Sequence, residues 1–115
     1  MINIISSSRY QINRSQIKEQ AKKYLDKVAI TEDKTVNIVF VGKNKMKQIS
    51  LQYKKENVAL PVLTFSYREN KDPGNVFGEI LLCYPQIVLL AAERNRKVDE
   101  MIIKMIDHGI KNLLA

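Results

Sequence analysis

Cysteine, histidine and long apolar runs are all scarce in this 115-residue chain, and acidic residues are scarce in its first half. The single cysteine, Cys83, rules out an internal disulfide and suits a reducing compartment better than a disulfide-built secreted domain. The longest apolar run, Ile87 to Ala92, falls far short of the ~20 residues needed to cross a bilayer. Met1 to Ser8 has neither the basic start nor the long apolar stretch of a signal peptide. These absences set the expectation of a cytoplasmic protein with no membrane contact. No repeat, low-complexity tract or interdomain linker interrupts the chain. Hydrophobic residues make up 45% of it. A chain of this size hides roughly two-thirds of its unfolded surface, enough for one domain that folds without staples.

What is present is positive charge, unevenly placed. The net charge is +7, and residues 1–55 hold 12 Lys and Arg against 4 Asp and Glu. Residues 56–115 hold 7 against 8, so the whole excess lies in the first half. A one-sided basic surface draws polyanions such as RNA through counterion release, although a solvated lysine coat has the same composition.

The pattern of residues predicts strands and helices in the order βαβαββαα. Ile2, Ile4 and Ile5 suggest a short first strand. Asn13 or Ser15 can cap a helix over about 15–29, whose apolar stripe is Ile17, Ala21, Tyr24, Leu25 and Val28. Thr35 to Val41 is the clearest strand by β-branched content, and Asn44 can cap a short helix running through Ile49 to Tyr53. Val62 to Tyr67 and Phe77 to Cys83 read as a hairpin about the turn signal Asp72-Pro73-Gly74-Asn75. Pro85 suits the start of a buried helix over 87–94. A longer helix covers Val98 to Leu114, with Val98, Met101, Ile102, Met105, Ile106 and Leu113 near one face. The fold class expected is α+β: a single domain, 1–115, with a mixed sheet of about four strands and helices packed on it.

The chemistry concentrates near the end of the chain. His108-Gly109-Ile110-Lys111-Asn112 resembles the signature of the YbeY family, in which a His-Gly pair is followed four residues later by a second His and six residues beyond that by a third. Positions i and i+4 share a helical face, so two imidazoles there can grip one metal ion. Three further stretches resemble the family in the same order: Leu51-Gln52-Tyr53-Lys54, Val62-Leu63-Thr64-Phe65 and Phe77-Gly78-Glu79-Ile80. The resemblance implies a YbeY-like fold and a zinc-dependent single-strand endoribonuclease acting in ribosomal RNA maturation.

Read residue by residue, the resemblance places His108 at the first ligand and Asn112 where the second His belongs. The sequence ends at Ala115, short of the third. Lys54 stands at the position of the family arginine; it supplies charge without a planar fork for phosphate. Glu79, on a strand that runs near the family's site, is a candidate general base or an edge carboxylate facing water. Lys43, Lys45, Lys47, Lys54 and Lys55, with Tyr53 among them, form either an RNA-facing rim or a lysine-coated amphipathic helix. The resulting expectation is an RNA- or ribosome-binding protein without bound zinc and without metal-dependent cleavage. Two alternatives stay open: a working nuclease that completes its ligand set from elsewhere, and a protein-interaction or oligomerisation module on the same scaffold.

Overall fold

The computed structural model describes residues 1–67 and 76–114. The elements follow the expected order: β1 (Ile2–Ile5), α1 (Arg14–Lys27), β2 (Thr35–Val41), α2 (Lys43–Lys54), β3 (Val62–Ser66), β4 (Val76–Cys83), α3 (Tyr84–Glu93) and α4 (Val98–Leu113). The turn signal Asp72 to Asn75 lies outside the described residues. The four strands form one mixed sheet in the order β1-β2-β4-β3. β1 and β4 both run parallel to β2, and β3 returns antiparallel to β4, pairing Phe65 with Glu79.

Strand alternation divides the sheet into two unlike faces. Val36, Ile38, Phe40, Ile80 and Leu82 point to one face, where α1, α3 and α4 cover them. Val41, Leu63, Leu81 and Cys83 point to the other, where Met46 of α2 and Ala59 close a smaller cluster. Three helices therefore seal one face, and among the described residues α2 is the one helix on the second.

The helix ends show which local signals act. Asn13 caps α1, its side chain accepting from the Gln16 N–H at 3.1 Å. Asn44 does not cap α2: the helix leaves β2 directly, with extended Gly42 at its N-cap. At the other end of α2, Lys55 takes the left-handed conformation (φ 58°), and its N–H returns to the Ser50 carbonyl. The fully buried Ser50 hydroxyl then accepts from the Leu60 N–H at 3.5 Å, tying the following loop to the helix. α3 is less buried than its composition suggests, because Ile87 and Ala91 face the core while Val88 and Leu89 are 36% and 55% exposed.

Two glycines let α4 lie close on the sheet. A Cβ on Gly109 would stand 2.7 Å from Ile80 Cγ2, and one on Gly78 would collide with Leu113 and approach the Phe65 carbonyl oxygen at 3.0 Å. Thr64 Oγ1 donates to the Gly109 carbonyl at 3.4 Å, fixing the last turns of α4 beside β3. That contact sets where His108 and Asn112 stand.

Candidate functional site

A cleft of about 400 Å³ opens where the C-terminal ends of α2 and α4 meet β3, and it is lined by Lys54, Glu56, Leu60, Val62, Leu63, Thr64 and Asn112. Lys54 reaches it from the last turn of α2, and Asn112 from the last turn of α4. The sequence named both residues, and the fold brings them to one cavity although 58 positions separate them. Glu56, Leu60 and Thr64 complete the wall. Thr64 sits inside a strand motif already singled out, but Glu56 and Leu60 carry no signal: only the Ser50-anchored turn after α2 places them there.

His108 stands one turn before Asn112 on α4, and both are exposed. The adjacent Asp107 turns to Lys111 at 3.1 Å rather than to His108. Zinc is held by three or four His, Cys, Asp or Glu donors. Among the described residues no three such side chains gather closely enough to hold a metal ion. Asn112 offers only a neutral amide where the family resemblance sets a second imidazole. Cys83 is fully buried, and burial pushes its thiol pKa up, away from the thiolate that binds metal. Among the described residues, the donors around His108 do not fit a zinc centre.

Glu79 is not part of the Lys54–Asn112 cleft. It points to the α2 face of the sheet and lines a separate cavity of about 350 Å³. Nor is it on an edge, since β4 pairs on both sides. Tyr67 donates from Oη to Glu79 Oε1 at 2.9 Å. Burial first, and then this bond to a carboxylate, push the Tyr67 phenol up to about 12. Sequence reading missed the pair because it arises from strand register: Tyr67 follows Phe65, the direct partner of Glu79, by two residues and so lies on the same face.

The candidate RNA-contacting lysines border different hollows of the surface. Lys43, Lys45, Lys47, Lys54 and Lys55 are all exposed. Lys45 lines the Glu79 cavity, Lys54 lines the cleft, and Lys47 borders a third hollow beside Asn44 and Asn57. Lys55 bends back to the Gln52 carbonyl at 3.5 Å. The helix thus carries positive charge around much of its exposed circumference, with Tyr53 58% exposed among it.

The family model described as Endoribonuclease YbeY matches residues 3–115. The chain belongs to the YbeY family. It is 32% identical over 81 residues to Endoribonuclease YbeY of Thermodesulfovibrio yellowstonii, a match covering 70% of this chain and 51% of that protein. Against Endoribonuclease YbeY of Thermotoga sp. it is 28% identical over 101 residues, covering 86% of this chain and 65% of the relative. The solution structure of TM1509 from Thermotoga maritima superposes with a TM-score of 0.67 over 100% of this chain and 73% of that one, at 23% identity. That likeness shows the shared fold. The chain spans between about half and two-thirds of the length of these curated relatives.

Proposed function

We propose that this YbeY-family chain binds single-stranded RNA, in the setting of ribosomal RNA maturation, and does so without metal-dependent cleavage by residues 1–115. The observation that carries the reading is the cleft itself. It is lined both by Lys54, which the resemblance sets at the family's arginine position, and by Asn112, which it sets at the second-histidine position. On this reading the cleft contacts phosphate through Lys54 without a metal ion. A lysine holds phosphate as a point charge, where arginine would hold it bidentately, so weak and sequence-tolerant contact is the expected mode. The exposed lysines of α2 extend that contact beyond the cleft. No helix is long and apolar enough to cross a membrane among the described residues. A cytoplasmic setting and RNA or the ribosome as partner follow from the family reading.

Two assays on one pair of proteins test this. In zinc titrations, the wild type takes up little metal, and Asn112→His, which restores the i, i+4 pair with His108, binds it measurably more tightly. In a single-stranded RNA cleavage assay, the wild type shows no activity above background with or without chelator. Robust, chelator-sensitive cleavage by the wild type overturns the reading. An Asn112→His protein that folds but gains no zinc affinity overturns the placement of 108 and 112 on one metal-facing side of α4.

A further inference from the structure

The second cavity, on the α2 face, is built for a different part of the ligand than the cleft. Its floor is the apolar sheet surface of Val39, Val41 and Leu81. Tyr53 and Phe65 form one wall, meeting edge to face with ring centroids 5.0 Å apart. Because Tyr53 is largely exposed, its ring retains a free face on which a planar group can stack. Among the described lining residues Glu79 is the carboxylate, held in place by the Tyr67 hydroxyl. A carboxylate offers about four acceptor positions, and Tyr67 takes one of them. Tyr67 keeps its proton at any physiological pH, because burial and Glu79 hold its phenol up to about 12. Lys45 borders the same cavity, and among the described residues it forms no ion pair with Glu79. At about 350 Å³ the space falls at the low end of small-molecule sites, which span roughly 300–1,000 Å³.

We infer that this cavity binds a flipped-out nucleobase with two adjacent N–H donors, namely guanine, with Glu79 accepting from N1–H and the 2-amino group while the ring stacks on Tyr53. Single-stranded RNA is commonly read this way, by aromatic stacking and hydrogen bonds to the Watson–Crick edge. The other bases fit the carboxylate less well. Uracil places carbonyl oxygens on both sides of its one N–H, and cytosine sets an acceptor beside its amino group. Adenine offers an amino group next to a bare ring nitrogen. Lys45 at the border supplies charge for the attached phosphate. The inference rests on the RNA-binding reading for its biological sense. It adds a base preference that the cleft does not supply, and the link between the two is short: Tyr53 lines this cavity and the next residue, Lys54, lines the cleft.

The test is a methyl NMR titration with guanosine, inosine and uridine 5′-monophosphates, which needs no oligonucleotide. Guanosine monophosphate is expected to shift the methyls of Val39, Ile49 and Leu81 saturably. Inosine monophosphate, which lacks the 2-amino group, binds roughly tenfold more weakly, and uridine monophosphate more weakly still. Glu79→Gln keeps an oxygen for Tyr67 to donate to, so the variant folds, and it removes the difference between guanosine and inosine. Tyr53→Leu weakens all three. Equal affinity for guanosine and inosine, or shifts confined to residues beside Lys54 and Asn112, overturns the guanine site and leaves the RNA reading standing. Guanosine-selective shifts in a protein that fails to bind single-stranded RNA support the cavity and overturn that reading instead.

Discussion

The two faces of the sheet differ in what covers them, and on the proposed reading the difference separates stability from recognition. On the face toward α1, α3 and α4, sixteen of the described residues form one continuous buried cluster that includes Ile38, Ile80 and Leu82. On the α2 face the buried cluster has six members, and beside it lies an open cavity containing a carboxylate, a lysine and two tyrosines. The cleft that holds Lys54 and Asn112 lies where the two regimes meet, along β3. A small domain has little stability to spare, so polar groups gather where removing them from water is not required.

The sharpest way to break this comparison is to truncate each face. Ile80→Ala, on the sealed face, should cost about 4 kcal/mol by denaturant unfolding, in the range for a fully buried isoleucine with no room to collapse. The matched Ile49→Ala, beside the open cavity, should cost no more than about 2 kcal/mol because solvent already reaches that site. Equal losses would show that the α2 face is as tightly packed as the other. Recognition should show the reverse sensitivity. Reversing Lys43, Lys45 and Lys47 to Glu should weaken single-stranded RNA binding by at least about tenfold and reduce the salt slope by about 2, if each lysine meets one phosphate. Reversing Arg94 and Lys97 should change affinity by no more than about twofold, since only general charge is altered. If the two sets of reversals act alike, the α2 side has no special role.

A smaller effect tests the seam between sheet and α4. Gly109→Ala gains up to about 1 kcal/mol in helix propensity but drives a methyl into Ile80, and overpacking of that kind costs about 1–3 kcal/mol. Since Ile80 is fully buried, the clash wins and the variant should be about 1 kcal/mol less stable. A stabilised variant would mean that α4 sits higher than described. The smallest effect belongs to Tyr67. Its folded-state pKa of about 12 lies above its ordinary value of 10.0, so the neutral phenol favours the fold. That contribution is present in full below pH 10.0 and is lost as pH rises through about 12. An ultraviolet titration, with Tyr67→Phe subtracted, should find this phenol ionising near 12 and Glu79→Leu should lower it. A phenol that ionises near 10.0 in the wild type would mean that Tyr67 is neither buried nor bonded to Glu79 in solution as described.

The elements and their order were legible in the sequence because each carries a local signature: β-branched residues in Thr35 to Val41, the apolar stripe of α4, and Asn13 ahead of α1. The placement of Lys54 with Asn112 was legible only through resemblance to a family, since nothing local relates the end of α2 to the end of α4. The start of α2 was misplaced because a plausible cap, Asn44, sits one residue inside a helix that needs no side-chain cap. The burial of α3 was overstated because an apolar run does not say which side meets the core. Of the two readings open for Glu79, general base or edge carboxylate, the edge one fails because strand order is a long-range property: β4 lies between β2 and β3 only once the sheet is assembled. The Tyr67–Glu79 pair was out of reach for the same reason.

On the proposed reading, this YbeY-family chain holds RNA through charge on its α2 side and not through a metal ion. The most direct measurement is fluorescence anisotropy of a labelled single-stranded RNA, with salt titrated in the presence and absence of chelator. The account predicts a linear fall of log affinity with log salt, the same with and without chelator, and flattened by the Lys43, Lys45 and Lys47 reversals. Binding that chelator abolishes, or no binding even at low salt, would contradict it.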